Sequence, residues 1–360
     1  MAYEIDAAVE QSWTLPAEVY VDSSLLKQEQ RSLFGETWQI VGRRDQVAKP
    51  GDYFTAELAG EPLLIARGSD SVLRGFYNVC RHRAGPPAEG CGSRKVFRCG
   101  YHGWTYSLDG RLLNAPEMDG TANFDYSQFG LQPIAIGEWG AWVFANLVPN
   151  PEPLVAALHE LPAQTKKYDL ERLTLTERRE YRMACNWKVY IDNYLEGYHL
   201  PSVHPGLNRE LDYGQYVTET FESHSRQASP IRGAENEKDA QRRYSAASKD
   251  DAAEYFWIFP NWMLNCYPDN VSLNIVLPLE TETCVAIFEW YFPESASAEA
   301  VSSTVRFSDE IQQEDGHICE VVHRNLRSRS YHRGRFSARQ ERGVHQFHRL
   351  YAEWQESVRE

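Results

Sequence analysis

The sequence predicts an α+β protein of two domains, and three observations carry that expectation. Short β-rich runs follow one another closely between Trp38 and Leu147. A break without regular pattern comes next, at Val148-Pro149-Asn150-Pro151-Glu152-Pro153. Beyond it, helical stripes mix with longer strand-like runs. The 360 residues suit this division, since a domain usually takes roughly 100–200.

In order, residues 1–37 read as a lead-in that ends in a short helix packing on the second domain. Asp22-Ser23-Ser24 supply its cap, Leu26, Leu33 and Phe34 share one face, and Gly35 is the stop. Residues 38–150 form the β domain. Its runs, Trp38–Val41, Tyr53–Glu57, Pro62–Ala66, Val72–Val79, Trp104–Tyr106 and Trp142–Leu147, are separated by turn signals such as Lys49-Pro50-Gly51 and Asp109-Gly110. Residues 151–360 form the second domain. A helix is expected from Trp187 to His199, with strands at Trp262–Tyr267, Val271–Leu277 and Val285–Phe292. A closing helix carries Val344, Phe347, Leu350, Tyr351 and Trp354 on one stripe. The stretch from Ser225 to Asp251 is polar without apolar period and is expected to be a mobile surface loop or lid.

Composition excludes several functions. With 37 basic and 51 acidic side chains the net charge is −14, which opposes nucleic acid and anionic lipid. No run approaches the roughly 20 apolar residues of a membrane span, and the acidic start lacks the basic and apolar stretches of a signal. The seven cysteines are odd in number and scattered, as suits a reducing compartment. A cytoplasmic protein is expected.

Two constellations carry chemistry. In the β domain, Cys80-Arg81-His82 is followed after sixteen residues by Cys99-Gly100-Tyr101-His102-Gly103-Trp104. Each pair offers a thiolate and an imidazole from a glycine-rich turn, the ligand set of an S₂N₂ metal centre. Structural zinc competes less well, because zinc sites group Cys-x₂-Cys with a second pair. In the second domain His199 and His204 stand five apart. An unbroken helix would rotate them to different faces, but Pro201 favours ending the helix near Leu200, so that His204 can return to the same point.

The Cys-x-His, sixteen-residue, Cys-x₂-His pattern with Tyr-His-Gly-Trp resembles the Rieske [2Fe–2S] motif. That resemblance assigns Cys80 and Cys99 to one iron and His82 and His102 to the other. The family commonly has Pro after the second Cys, where this chain has Gly100. The segment Asn186-Trp187-Lys188 through Asp192-Asn193, Glu196 and His-x₄-His resembles the catalytic segment of Rieske non-haem iron oxygenase α-subunits. There, two histidines and a distant carboxylate hold mononuclear Fe(II). The likeness covers roughly residues 38–355. It implies His199, His204 and Asp315 as iron ligands, with Asp315 preferred to Glu314, and Glu196 and Asn193 as catalytic residues. Glu196 would link His199 to the cluster ligand His102 of a neighbouring subunit in a homotrimer. The second domain would be a helix-grip (START/Bet v1-like) fold.

Glu196 in place of Asp, the run Phe256 to Asn265 and the Glu341-x₅-Phe347-His348 ending look similar to choline, glycine betaine and carnitine monooxygenases. This implies a terminal oxygenase that uses O₂ and two electrons to hydroxylate a quaternary ammonium compound, by oxidation or N-demethylation. Tyr213, Tyr255, Trp257, Trp262 and Tyr267 are available for an aromatic cage. An aromatic-ring oxygenase is the alternative enzyme, and a non-catalytic Rieske electron carrier is the alternative from another class. No G-x-G-x-x-G dinucleotide fingerprint is present, so electrons from NAD(P)H would come through a separate reductase, with or without a ferredoxin.

Overall fold

The computed structural model describes residues 3–232 and 251–358. It divides into two units, Met1–Lys27 with His159–Glu360, and Gln28–Leu158. These edges stand against sequence-expected ones at 37/38 and 150/151. Residues up to Lys27 are tied into the larger unit: Leu15 N–H donates to His348 Nδ1 at 2.9 Å, and Thr14 and Ala17 N–H donate to the carbonyls of Gly334 and His332. No helix among the described residues is long and apolar enough to cross a membrane.

The smaller unit is built from Gln39–Arg43 (β1), Asp52–Leu58 (β2), Glu61–Arg67 (β3), Leu73–Tyr77 (β4), Cys91–Ser93 (β5), Val96–Arg98 (β6), Thr105–Ser107 (β7), Leu112–Asn114 (β8), Pro133–Trp139 (β9) and Trp142–Asn146 (β10). Seven strands make an antiparallel sheet in the order β1-β10-β9-β4-β3-β2-β5, and β6-β7-β8 form a separate ribbon. Trp104 and Tyr106, two apart and so on one face, are buried with Cys80 and Cys99 in one cluster.

The larger unit holds a second seven-stranded antiparallel sheet. Its strands are Thr174–Met183 (β11), Val217–Thr220 (β12), His224–Pro230 (β13), Ala252–Ile258 (β14), Trp262–Cys266 (β15), Val271–Glu280 (β16) and Thr283–Phe292 (β17), in the order β11-β17-β16-β15-β14-β13-β12. Among the described residues the α-helices are Ser23–Gln28 (α1), Leu154–Ala157 (α2), Leu161–Thr165 (α3), Trp187–Tyr194 (α4), Leu200–Val203 (α5), Leu207–Glu210 (α6), Ala298–Asn325 (α7) and Arg342–Ser357 (α8). All but α2 and the last residue of α1 belong to this unit. Asn186 caps α4 by accepting from Lys188 N–H, and Ser297 caps α7 by accepting from Ala300 N–H. On α8, Val344, Phe347 and Tyr351 are buried, as the apolar stripe requires.

Two local expectations are corrected. The helix that begins at Trp187 stops at Tyr194 rather than His199, and Pro201 sits in the first turn of α5. Proline is tolerated there because its missing N–H would have had no helical partner. The polar stretch is not a loop at its start. Ser225 to Pro230 lies in β13, where Ser225, Gln227 and Ser229 are buried and pair with β14. Their backbone pairing overrides the polar composition. The remainder of that expectation, 233–250, lies outside the described residues.

Candidate functional site

The two cluster-motif turns share one design. Cys80 N–H donates to Gly85 O and Cys99 N–H to Trp104 O, both at 2.9 Å, while Ala84 and Gly103 N–H close back on the carbonyls of Cys80 and Cys99. Ala84 and Gly103 take matching left-handed φ values of 57° and 73°. The turns touch: a Cβ on Gly85 would stand 2.9 Å from Cys99 Sγ, so this position needs glycine. The His82 and His102 rings are 4.4 Å apart, and His82 stacks on Trp104 at 4.9 Å. His82 Nδ1 is buried without a protein partner, as fits a ring nitrogen reserved for a metal. Burial, then His102 and Arg83, hold the His82 pKa below its usual value. Tyr106 OH lies 3.1 Å from Cys80 Sγ and accepts from Arg81 N–H at 3.0 Å. The residues present fit a Rieske cluster.

In the larger unit α4 and α7 lie side by side. Tyr190 OH donates to Gln312 Oε1 at 2.5 Å, and Asn193 Nδ2 donates to Asp315 Oδ1 at 2.6 Å. Gln312 and Asp315, one turn apart, therefore face α4 together. His199 stands just before α5 and His204 just after it, so one helical turn connects them. Their Nε2 atoms are 3.1 Å apart, and Asp315 Oδ1 lies 2.9 Å from His204 Nε2 and 3.7 Å from His199 Nε2. Among the described residues, these three stand close enough together to hold a metal ion.

The far nitrogens are also held. His199 Nδ1 pairs with Glu196 Oε1 at 2.6 Å, and Glu196 Oε2 accepts the His199 backbone N–H at 3.0 Å. His204 Nδ1 pairs with Glu314 Oε2 at 2.7 Å. With both Nδ1–H groups donating to carboxylates, each Nε2 lone pair is left for the metal. Burial opposes a charge on His204, but Asp315 and Glu314 outweigh it and raise its pKa. Two imidazoles and a carboxylate on one side are the donor set of a non-haem Fe(II) site with open positions. Asp192, beside Asn193, turns elsewhere: it accepts from Tyr20 OH at 2.7 Å and from His348 Nε2 at 2.9 Å.

The three groups open on a cavity of ≈ 690 Å³, mouth included. Its aromatic lining is Tyr190, Tyr194, Tyr216, Tyr255, Tyr267 and Phe288. Tyr255 and Tyr267 were legible as cage candidates. Trp257, Trp262 and Tyr213 do not line it: Trp257 is buried against Phe347 at 5.6 Å, with its Nε1–H on Pro260 O. Tyr216 was missed, and its signal was Gly197, where a Cβ would come within 2.8 Å of the Tyr216 ring. Glu314's contact with His204 was missed as well, because a carboxylate next to a ligand reads as a rival ligand.

Two family models match the chain: the Rieske [2Fe-2S] domain over residues 37–125, and the ring hydroxylating alpha subunit (catalytic domain) over 170–357. Choline monooxygenase of Arabidopsis thaliana chloroplasts is 35% identical, over 95% of this chain and 83% of that one. The carnitine monooxygenase oxygenase subunit of Escherichia coli K12 is 31% identical, over 96% and 94%. A solved quaternary ammonium Rieske monooxygenase, studied for carnitine oxidation and inter-subunit electron transfer, superposes with a TM-score of 0.87. Its identity is 28%, covering 98% of this chain and 100% of that one.

Proposed function

The chain belongs to the ring-hydroxylating α-subunit family of Rieske oxygenases, and from that premise we propose that it is the terminal oxygenase component of a quaternary ammonium monooxygenase. The reaction is R–H + O₂ + 2e⁻ + 2H⁺ → R–OH + H₂O. Hydroxylation of a carbon bonded to nitrogen would give a hemiaminal whose C–N bond breaks, releasing an aldehyde and the amine that has lost that carbon group, whereas an alcohol substrate would be oxidised at its carbinol carbon. One observation carries the reading: the Nε2 atoms of His199 and His204 and Oδ1 of Asp315 converge at the wall of a cavity lined by tyrosines.

His199, His204 and Asp315 would hold Fe(II), which when bound supplies the O₂-activating chemistry. Glu196 and Glu314 fix the two rings through Nδ1, and Asn193 fixes Asp315. The tyrosine faces attract an N-methylated cation through their ring quadrupoles. Cys80, Cys99, His82 and His102 would hold the cluster. In a homotrimer, Glu196 is the link from His199 towards His102 of a neighbouring subunit. Electrons from NAD(P)H enter through a separate reductase. The five cysteines outside the cluster set are unpaired, which suits the cytoplasm.

The test is NADH-driven turnover with a surrogate reductase, comparing quaternary amines with aromatic acids. Aldehyde or formaldehyde from the amines is expected. A hydroxylated ring or cis-diol from the acids alone would move the protein to the ring oxygenases. Two irons per chain after anaerobic Fe(II) loading, with no third, would make it an electron carrier.

A further inference from the structure

The wall of the cavity contains one amide that the iron site does not use. Asn274 lies on β16, where its cross-strand neighbours are Met263 on β15 and Phe288 on β17, with Trp257 next along the same row. It is 1% exposed, lines the cavity, and its Oδ1 is buried without a protein partner. A buried amide in an apolar row is costly unless something meets it.

The tyrosine hydroxyls and the other side-chain amides of the wall are already engaged. Tyr190 OH is on Gln312, Tyr194 OH on Asn265, Tyr216 OH on Gln227, and the hydroxyls of Tyr255 and Tyr267 face each other. Asn193 holds Asp315 and Asn265 Nδ2 donates to Ser272. Among the described residues lining the cavity there is no Lys or Arg; the charged ones are Glu196 and Asp315, with the two histidines. A carboxylate taken out of water here would lack the cationic fork that normally receives one.

We propose that the Asn274 carboxamide is the specificity-determining contact for the polar end of the substrate, and that this end is an uncharged hydroxyl rather than a carboxylate. The proposal rests on the quaternary ammonium reading and divides that class. The cation sits against tyrosine faces, and its hydroxyl donates to Asn274 Oδ1. A quaternary amino alcohol is then preferred to a betaine.

Binding to the iron-loaded enzyme without O₂ tests this by calorimetry, with three probes: choline, propyltrimethylammonium, in which a methyl replaces the hydroxyl, and glycine betaine. Wild type should bind choline about ten-fold tighter than either of the others, because a site built around a hydrogen bond rejects the analogue lacking it. Asn274→Leu should bring choline and propyltrimethylammonium within about two-fold of each other. Asn274→Asp, which keeps the acceptor and the size, should retain the choline preference. An unchanged choline preference in Asn274→Leu would overturn the contact, and tighter binding of betaine than of choline would overturn the hydroxyl class. If Asn274→Leu does not load iron, loss of the choline preference in Asn274→Asp overturns the contact instead. Aromatic acids binding where all three cations fail would remove the premise itself, an outcome distinct from the others.

Discussion

The two candidate metal-binding regions are built on opposite plans. Residues 80–102 bring the four proposed cluster ligands together within two short turns that repeat the same hydrogen bonds and the same left-handed position. The mononuclear set spans 199–315 and exists only because α7 lies along α4. In the first, local backbone conformation orients the ligands. In the second, the fold brings the segments near and side-chain braces do the aiming: Glu196 on His199, Glu314 on His204, Asn193 on Asp315.

The largest expected effect tests whether the plans are independent. Asp315→Ala should reduce mononuclear iron from one per chain to near none while the cluster keeps both of its irons. Iron analysis beside the cluster's visible absorption measures both. Loss of the cluster in step would break the comparison, and undiminished mononuclear iron would move the third ligand to Glu314.

Next come the two carboxylate braces, which should fail differently. Glu196→Gln is expected to keep both metal centres but to stop electron flow to the iron site, by more than about 100-fold in single turnover. Glu314→Ala should leave that rate normal for each loaded site while weakening iron retention by about 10-fold. That is the low end of the usual 10–100-fold cost of losing a ligand's hydrogen-bond partner. The low end follows from exposure: the Glu314 side chain is 40% accessible, against 13% for Glu196, so water can replace part of its role. Equal behaviour of the two variants, with a chelator titration as the readout for iron, would show one brace where two are drawn.

The same contrast explains what could be read beforehand. The proposed cluster ligands stand out as a set from spacing alone, because turns encode their geometry locally. His199 and His204 were legible through their pattern, but the route between them was not, since Pro201 starts α5 rather than ending α4. Asn274, Asn265 and Phe288 alternate inward on strands whose register only the sheet reveals, so nothing in their local sequence marks them. Composition misled at Ser225 and Gln227, buried with strand pairing on both sides, and at Ser229, buried and paired with β14. The edge strand β11 was missed because its half-buried face, Leu175, Glu177, Arg179, Tyr181 and Met183, interleaves charged with apolar residues and so gives only a weak apolar signal.

The smallest expected effect concerns the larger unit alone. His224 is buried on β13, its Nε2 is 3.0 Å from Gln164 Oε1, and Phe221 stacks on its ring at 4.5 Å. Burial first, and then the neighbouring His159, lower its pKa to about 4, against an opposing pull from Glu160. In the unfolded chain the pKa returns to about 6.5. The depressed histidine therefore contributes its full stability above pH ~6.5 and loses it as pH falls towards 4, because only the unfolded chain takes up the proton. At pH ~5 the loss is about 2 kcal/mol, or about 5 °C in melting temperature for a unit of this size. His224→Gln cannot be protonated and should flatten that acid limb in melts between about pH 7 and about pH 5, followed by loss of mononuclear iron. Parallel limbs in wild type and variant would assign the acid sensitivity to other groups, and with it the idea that this unit carries a buried proton acceptor of its own.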